Sequence, residues 1–157
     1  MAFLETTIGK FLMTFAISMV PIVELRGGLP IGLASGLDYP IALIASVLGN
    51  MLPVPFIIFF IEKIFEWMRK HMPKLDGLVT KMEQKADKNK DTIEKYGYIG
   101  LIILVAIPLP GTGAWTGSLV AALMGLEPKK AFPCIFLGVI IAAVIVTIVY
   151  FTAGYLI

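Results

Sequence analysis

The chain has few charged residues, one cysteine and one histidine. Asp, Glu, Lys and Arg make up 15% of its 157 residues, whereas 58% are hydrophobic and the mean hydropathy is +0.89. Soluble domains carry about 25% charged residues, so the composition excludes an ordinary soluble domain and indicates an integral membrane protein. The formal net charge of +2 is too small to favour nucleic acid as a partner.

Cys134 and His71 are the single residues of their types. One cysteine excludes a disulfide or a cysteine-based metal site within one chain, and His71 has no His or Cys companion. Catalysis needs a nucleophile with a base, or metal ligands, within reach of one another. The sequence therefore predicts no metal, no cofactor and no enzymatic activity, and it leaves transport or a structural role in a membrane.

Two dense groups of Pro and Gly interrupt the apolar stretches. The first, residues 21–36, has two prolines and four glycines around Glu24 and Arg26, and the second covers residues 108–117. Each charge at the centre of a membrane helix costs about 2.5–3.5 kcal/mol, and irregular backbone at membrane depth must be buried in protein or line a cavity. We therefore expect a re-entrant hairpin with a non-helical stretch that lets Glu24 and Arg26 face one cavity. A kinked spanning helix is the alternative.

The first half predicts a helical hairpin followed by a crossing helix. Residues 11–23 are apolar but too few to span a bilayer, which needs about 20 residues. We assign them as the first arm, after a short polar lead, and residues 29–37 as the returning arm. Residues 39–67 are long enough to cross, although the Pro53-Val54-Pro55 segment should kink or break the helix. Asn50 lies just before this break as a possible supporting residue of the site, although bonding to backbone groups freed by the prolines is its simpler role.

A charged segment, residues 69–95, separates the halves. Its apolar residues recur at spacings of three and four or their multiples, at Leu75, Val79, Met82, Ala86 and Ile93. This pattern predicts an amphipathic helix outside the bilayer core. The second half then repeats the order of the first, with an apolar arm at residues 96–107, a return arm at 118–126 and a crossing helix at 131–157.

An offset of 89 residues aligns the two halves. The matched pairs are Pro21 with Pro110, Gly28 with Gly117, Gly36 with Gly125, Leu37 with Leu126, Asp38 with Glu127, Ala42 with Ala131, Leu48 with Leu137 and Gly49 with Gly138. Because a hairpin enters and leaves on one side, each half crosses the membrane an odd number of times, and the second half must be inverted. A chance match among Gly and Ala is the weaker alternative.

We therefore predict an all-α integral membrane fold in one domain, residues 1–157. Two inverted repeats, residues 11–68 and 96–157, each consist of a re-entrant helical hairpin followed by a transmembrane helix. The amphipathic cytoplasmic helix 69–95 joins them.

The basic residues predict the orientation. Eleven of the thirteen Lys and Arg residues lie within residues 63–95 or at Lys129 and Lys130, and the inverted arrangement puts both regions on one side. The positive-inside rule assigns that side to the cytoplasm. We expect a multi-pass protein of the cytoplasmic (inner) membrane with both termini outside. A plain four-span arrangement would put Lys129 and Lys130 on the side opposite the linker.

Two motifs contain the candidate site residues. The substrate- or proton-binding candidates are Glu24, Arg26, Gly27, Gly28 and Pro30 in E-L-R-G-G-L-P, and Pro110, Gly111, Thr112, Gly113, Trp115, Thr116 and Gly117 in P-G-T-G-A-W-T-G. A buried carboxylate can hold or release a proton, and a guanidinium presents a fork of donors to phosphate or carboxylate. The second motif would add hydroxyl and backbone donors and an aromatic wall. An ion pair that only fixes the hairpin shape is the alternative.

These two motifs closely resemble those of the small multidrug export membrane proteins of bacteria and archaea, and the resemblance covers nearly the whole chain. The paired hairpins also resemble the DedA superfamily, whose members are implicated in moving phosphorylated polyprenyl or other lipids across membranes. DedA proteins carry arginines in the second hairpin motif, where this sequence has Thr112, Trp115 and Thr116 and no arginine.

The sequence thus predicts a transporter or lipid flippase that moves an anionic or phosphorylated amphiphile through a midplane site between the hairpins, with proton coupling as an option. Efflux of small drug-like molecules is one alternative, although Arg26 would repel a cation. A structural membrane protein is the other. The expected partners are membrane lipids, a small anionic or lipid substrate and a second copy of the chain, because two crossing helices shield a polar site poorly.

Overall fold

A computed structural model describes residues 5–109 and 112–155, apart from the side chains of Leu75, Thr92 and Tyr155. All regular structure in these residues is helical, as predicted. The helices are α1 Thr7–Met19, α2 Glu24–Ala34, α3 Tyr39–Met51, α4 Pro53–His71, α5 Asp76–Ala106, α6 Ala114–Leu123 and α7 Pro128–Tyr155, with a 3₁₀ turn at Pro73–Leu75. They belong to two compact units. The first unit runs to Pro53 and includes α7 from Val139 onward, and the second is Val54–Gly138.

Both helices of the first hairpin begin earlier than predicted. α1 begins at Thr7 because the Thr6 hydroxyl caps it, accepting the Gly9 N–H at 3.1 Å. α2 begins at Glu24, and Arg26 lies in its first turn. The predicted non-helical stretch at these two charges is therefore wrong.

α1 and α2 pack as an antiparallel helical hairpin. A Cβ atom at Gly28 would lie 1.8 Å from Ser18 Oγ, and one at Gly32 would lie 2.8 Å from Thr14 Oγ1. Ser18, the later of the two α1 residues, thus contacts Gly28, the earlier of the two glycines, as expected for antiparallel helices. Such contacts require glycine, because any side chain would overlap the facing hydroxyl.

A second hairpin in the other unit joins the end of α5 to α6. A Cβ atom at Gly117 on α6 would lie 2.5 Å from Val105 Cγ2 and 3.5 Å from Leu101 Cδ1 on α5. α5 is continuous from the linker except at Gly97, where φ is 59° and ψ is −136°. The arm predicted at 96–107 therefore begins at this break, within the same long helix.

The helix after each hairpin crosses its first arm at a glycine. A Cβ atom at Gly49 on α3 would lie 2.2 Å from the Phe15 carbonyl oxygen on α1. A Cβ atom at Gly138 on α7 would lie 2.6 Å from Val105 Cβ and 3.0 Å from the Ile102 carbonyl oxygen on α5. We call Gly49 and Gly138 the crossing glycines, since both let a helix touch backbone directly.

Both hairpins also end in the same cap. α2 and α6 are each followed by a glycine with positive φ, 87° at Gly36 and 65° at Gly125. The N–H of the next residue donates five positions back, at 3.1 Å after Gly36 and 2.9 Å after Gly125, which is the Schellman arrangement. The following carbonyl, of Asp38 or Glu127, then accepts the N–H that opens the next helix, at 2.9 and 2.8 Å. Residues aligned by the offset of 89 thus share local structure.

In the part of the chain that the structure describes, two stretches are long and apolar enough to cross a membrane, Tyr39–His71 and Pro128–Gly154. Between α3 and α4 the predicted proline break is confined to Leu52, whose φ of −59° and ψ of −45° remain helical. Its N–H still donates to the Leu48 carbonyl at 3.0 Å. The prolines therefore interrupt the helix at a single residue, which keeps helical backbone angles.

Most of the charged segment is helical and amphipathic, as predicted, but it is not one helix: residues 69–71 end α4, the 3₁₀ turn follows, and α5 begins at Asp76. Val79, Ala86 and Ile93, seven residues apart on α5, are buried, while the charges between them are mostly exposed. At the end of α4, Arg69 Nε lies 3.2 Å from Asp76 Oδ1. This ion pair joins the ends of α4 and α5.

Candidate functional site

Glu24 and Arg26 form an ion pair in the first turn of α2. Arg26 Nη1 donates to Glu24 Oε2 at 3.3 Å, with Glu24 only 3% exposed and Arg26 20% exposed. Removing two charges from water is costly, and their attraction offsets that cost only when they are paired and hydrogen-bonded. The structure thus brings together the two charges that the sequence singles out.

The backbone of Glu24 explains how the pair forms inside a helix. Residues two apart point to different faces of a regular helix. Among the described non-glycine residues, only Glu24 has a positive φ, 50°. This conformation sets the carboxylate apart from the regular helical direction. Such a backbone costs of order 1–3 kcal/mol and persists only where its surroundings hold it, typically at functional sites.

The other described residues of the first motif shape the hairpin around the pair. A Cβ atom at Gly27 would lie 2.3 Å from Val23 Cγ1, and one at Gly28 would overlap Ser18. Pro30 lies inside α2, where it has no N–H for the intrahelical bond. These three residues therefore contribute close packing and an opened helix next to the charges.

Several buried polar side chains of the first unit went unrecognised in the sequence. Thr14, Ser18 and Ser46 are fully buried, and Asn50, the supporting residue suggested above, is nearly so. Within the described residues, Thr14 Oγ1, Ser18 Oγ and Asn50 Oδ1 have no hydrogen-bond partner, whereas Ser46 Oγ donates to the Ala42 carbonyl at 2.7 Å. An unsatisfied buried polar group costs about 1–3 kcal/mol, so each one requires an explanation.

A spacing of four residues is the signal that could have revealed the two hydroxyls. Two stripes follow it: Lys10, Thr14 and Ser18 on α1, and Gly28, Gly32 and Gly36 around α2. Residues four apart share one face of a helix, so a polar stripe and a glycine stripe of equal spacing predict direct contact. A prediction that treats these glycines only as helix breakers misses the equal spacing of the two stripes.

The second motif builds its own turn. Thr112 Oγ1 lies 2.6 Å from the Ile107 carbonyl oxygen and 2.8 Å from that of Leu109, and donates to them. The predicted site residues Pro110 and Gly111 lie outside the described residues. The Thr112 hydroxyl is thus already bonded within the turn, and ligand binding there stays a prediction.

The rest of this motif begins α6. Gly113, with φ 113°, is its N-cap, and its N–H donates to the Leu104 carbonyl at 3.4 Å. Trp115 is half-buried, whereas Thr116 and Gly117 are buried. The two predicted groups of site residues belong to different compact units, and a shared cavity remains a prediction.

Comparison with known proteins places the chain in a family. No curated protein and no solved structure is detectably similar to it, and the resemblance to the DedA superfamily is not confirmed. A family model described as "Putative small multi-drug export protein" matches residues 24–145. The match begins at Glu24 and includes both motifs. Together with the two long apolar helices it supports a membrane location. The chain belongs to the small multi-drug export protein family.

Proposed function

We propose that this protein exports small amphiphilic molecules that carry an anionic group, and that Arg26 binds that group. Family membership supports export across a membrane as the class of function. The single observation that carries the finer proposal is the ion pair between buried Glu24 and half-buried Arg26 at a strained helix start. A guanidinium holds its charge at any working pH and binds carboxylate or phosphate through two parallel hydrogen bonds.

Glu24 competes with the substrate for Arg26 in this proposal. Oε2 of Glu24 already accepts from Nη1 of Arg26, so a second anion at the guanidinium faces a like charge. Protonation of Glu24 removes that charge and favours anion binding. Loss of the proton restores the ion pair and favours release. Proton movement and substrate movement are then coupled through one arginine.

The shape of the first hairpin supports a re-entrant position in the membrane. Its tip, where the chain turns from α1 to α2, is apolar and exposed, with Ile22 93% exposed and Val20 43% exposed. The opposite end, where the two helices are not joined, carries Lys10 and Asp38, and we call it the open end. With 13 residues, α1 spans about 20 Å, less than the roughly 30 Å of a bilayer core. The ion pair, close to the tip, would then lie at membrane depth.

The topology proposed here has two inverted repeats and a cytoplasmic linker. Shared caps and crossing glycines support the repeat, and the clustering of Lys and Arg supports the orientation. Labelling of a Lys88→Cys variant of the cysteine-free Cys134→Ala protein with an impermeant maleimide tests it. Reaction only from the cytoplasmic side is expected, and reaction only from outside would refute the orientation.

Transport by protein reconstituted in liposomes tests the proposed function. The anionic probe is 8-anilinonaphthalene-1-sulfonate and the cationic probe is ethidium. We expect export of the anion, loss of its binding in Arg26→Gln, and binding without pH-dependent transport in Glu24→Gln. Arg69→Gln is the matched control, because Arg69 is an exposed arginine paired at the α4–α5 junction.

Efflux of small drug-like molecules is the second candidate, since the family description names multi-drug export, and cationic drugs are the form of it that differs most from the anion proposal. In the case of a cationic drug, Glu24 would bind the cation and Arg26 would position the Glu24 carboxylate. Ethidium transport that is lost in Glu24→Gln and retained in Arg26→Gln would establish this candidate and contradict the anion proposal.

A further inference from the structure

We propose that Thr14 and Ser18 conduct protons between the open end of the α1–α2 hairpin and Glu24. We call these two side chains the hydroxyl row. The inference rests on the proposed function in one respect, since that function requires Glu24 to exchange a proton. A carboxylate that is 3% exposed needs a route along which that proton travels.

The register of the hairpin orders the groups along such a route. Ser18 contacts Gly28 and Thr14 contacts Gly32. Glu24 precedes Gly28 by four residues on α2 and therefore lies about one turn closer to the tip. The order from the tip toward the open end is Glu24, Ser18, Thr14.

The open end of the row reaches charged residues at the end of the hairpin. Lys10 lies four residues before Thr14, and its Nζ would be 3.4 Å from a Cβ atom at Gly36. Gly36 follows the end of α2, and Asp38 lies two residues beyond it. A row that begins at Glu24 near the tip therefore ends among polar groups at the opposite end.

The chemistry of the two hydroxyls suits proton transfer. Both are fully buried, and neither oxygen has a hydrogen-bond partner in the described part of the chain. A hydroxyl can accept a proton on a lone pair while it donates its own. Residues four apart on a helix have Cβ atoms about 5–6 Å apart, a gap that one water bridges with two hydrogen bonds of about 2.8 Å.

The transfer is balanced in both atoms and charge. A proton from bulk water binds the oxygen of Thr14, whose own proton passes through a bridging water to Ser18. Ser18 repeats the exchange toward Glu24, where the carboxylate gains an O–H bond. Each hydroxyl is regenerated when it turns back, and one positive charge has moved inward.

The charged groups near this route are few. Arg26 lies beside Glu24 on α2, and α1 contributes Lys10 at the far end. The other segments of this unit, residues 39–51 and 139–155, contain no Asp, Glu, Lys, Arg or His, although Tyr39, Tyr150 and Tyr155 are present. Glu24 is therefore the proton acceptor at the inner end of the row.

Packing alone does not account for the hydroxyls. In the second hairpin, Gly117 faces Val105 and Leu101, so a glycine contact of this kind works with apolar partners. Alanine at position 18 would pack against Gly28 without burying an unsatisfied oxygen, which costs about 1–3 kcal/mol. The hydroxyls are thus retained at a cost to stability, which points to a role beyond packing.

The rate at which Glu24 gains a proton after a pH jump tests the hydroxyl row. The infrared carboxyl band of the purified protein in lipid vesicles reports it, assigned as the band that Glu24→Gln lacks. We expect the Thr14→Val/Ser18→Ala double variant to slow this rate roughly tenfold or more with the same pH midpoint, and Thr14→Ser to keep the wild-type rate. Ser46→Ala is the matched control, because it removes an equally buried hydroxyl that is bonded to its own helix.

The outcomes separate this inference from the proposed function. A double variant that protonates Glu24 at the wild-type rate overturns the hydroxyl row, whatever happens to transport. A slow double variant, together with a wild type that moves neither probe, keeps the row and refutes the exporter. The variants should also fold with an unchanged or higher melting temperature, because they remove unsatisfied groups. Loss of folding would mean that the hydroxyls are bonded, and it would overturn the row as well.

Discussion

The two helical hairpins have the same construction and different contents. Each ends in a glycine cap and is crossed by the next helix at a glycine, Gly49 or Gly138. The first hairpin, however, encloses Glu24, Arg26 and two hydroxyls that have no hydrogen-bond partner among the described residues, whereas residues 97–126 contain no charged residue at all. The features that both hairpins share define the architecture, and the features that differ between them are candidates for function.

This comparison assigns the chemistry to the first hairpin. Its polar groups are costly, since they include buried charges, a strained backbone at Glu24 and unsatisfied oxygens. The second hairpin shows that the frame forms without those groups. Its threonines serve in part as turn and packing residues, as the bonds from Thr112 to nearby carbonyls show. Changes in the first hairpin should therefore alter transport, and equivalent changes in the second should mainly alter stability.

Removal of one member of the ion pair should have the largest effect. Arg26→Ala leaves the Glu24 carboxylate buried beside no cation, which destabilises a protein by about 3–5 kcal/mol. The double variant Glu24→Gln/Arg26→Gln removes both charges and should recover most of that stability while transport stays absent. Melting temperature in mild detergent and anion transport in liposomes measure the two effects.

The double variant also decides between a site and a shape-fixing pair. Transport that survives Glu24→Gln/Arg26→Gln unchanged would show that the pair is architecture, and the distinction between the hairpins would fail. Thr116→Val is the comparison in the second hairpin, since Thr116 is buried without a charge. We expect it to retain anion binding.

A methyl group at either crossing glycine should have the next largest effect. In Gly49→Ala the three nearest atoms are all backbone atoms of Phe15, from 2.2 Å outward, so the two helices must separate. In Gly138→Ala the nearest atom, Val105 Cβ, is farther away at 2.6 Å, and the Ile102 carbonyl oxygen lies at 3.0 Å, so these helices must separate by less. We expect losses toward the upper end of the 1–3 kcal/mol typical of overpacking, about 3 for Gly49 and about 2 for Gly138. Equal melting temperatures for the two variants would contradict this order.

Much of this fold follows from sequence patterns, because those patterns act locally. A glycine after an apolar arm and an acidic residue before the next helix predict the turns at residues 36–38 and 125–127, and the structure has a cap at each. The apolar spacing predicts the amphipathic helix of α5. Because these patterns are local, they predict that a helix forms in each region, but they do not predict its first residue.

The ion-pair geometry could not be predicted in this way. The left-handed backbone of Glu24 is unfavourable for a glutamate on its own and persists only because packing around it compensates. The rule that residues two apart diverge on a helix then fails at this one position. Packing partners likewise decide that Ser18 meets Gly28, although the equal spacing of the two stripes hinted at it.

Moving a side chain from one helix to the other across a glycine contact should have a smaller effect on stability. Its effect on protonation of Glu24 should differ between the hairpins. Gly28→Ala places a methyl group on Ser18 Oγ, at 1.8 Å, and should cost about 2 kcal/mol. Adding Ser18→Gly should restore stability and leave the hydroxyl row incomplete. Gly117→Ala with Val105→Ala is the matched exchange in the second hairpin, where the contact is 2.5 Å. Both exchanges should restore the melting temperature, and only the first should slow protonation of Glu24.

Replacement of the cap glycines should have the smallest effect, and here the two hairpins should behave alike. Gly36 and Gly125 have φ values of 87° and 65°, and alanine in this region costs about 1 kcal/mol. Asparagine tolerates the left-handed region, so Gly125→Asn should lose less stability than Gly125→Ala. Gly36→Asn should follow the same order, because only the end of the flexible Lys10 side chain lies within 4 Å of the added atom. Melting temperatures of the four variants measure these differences, and transport should be retained in all of them. A transport defect confined to the Gly36 variants would show that the cap of the first hairpin also serves function. The cap at Gly36 would then not belong to the architecture that the two hairpins share.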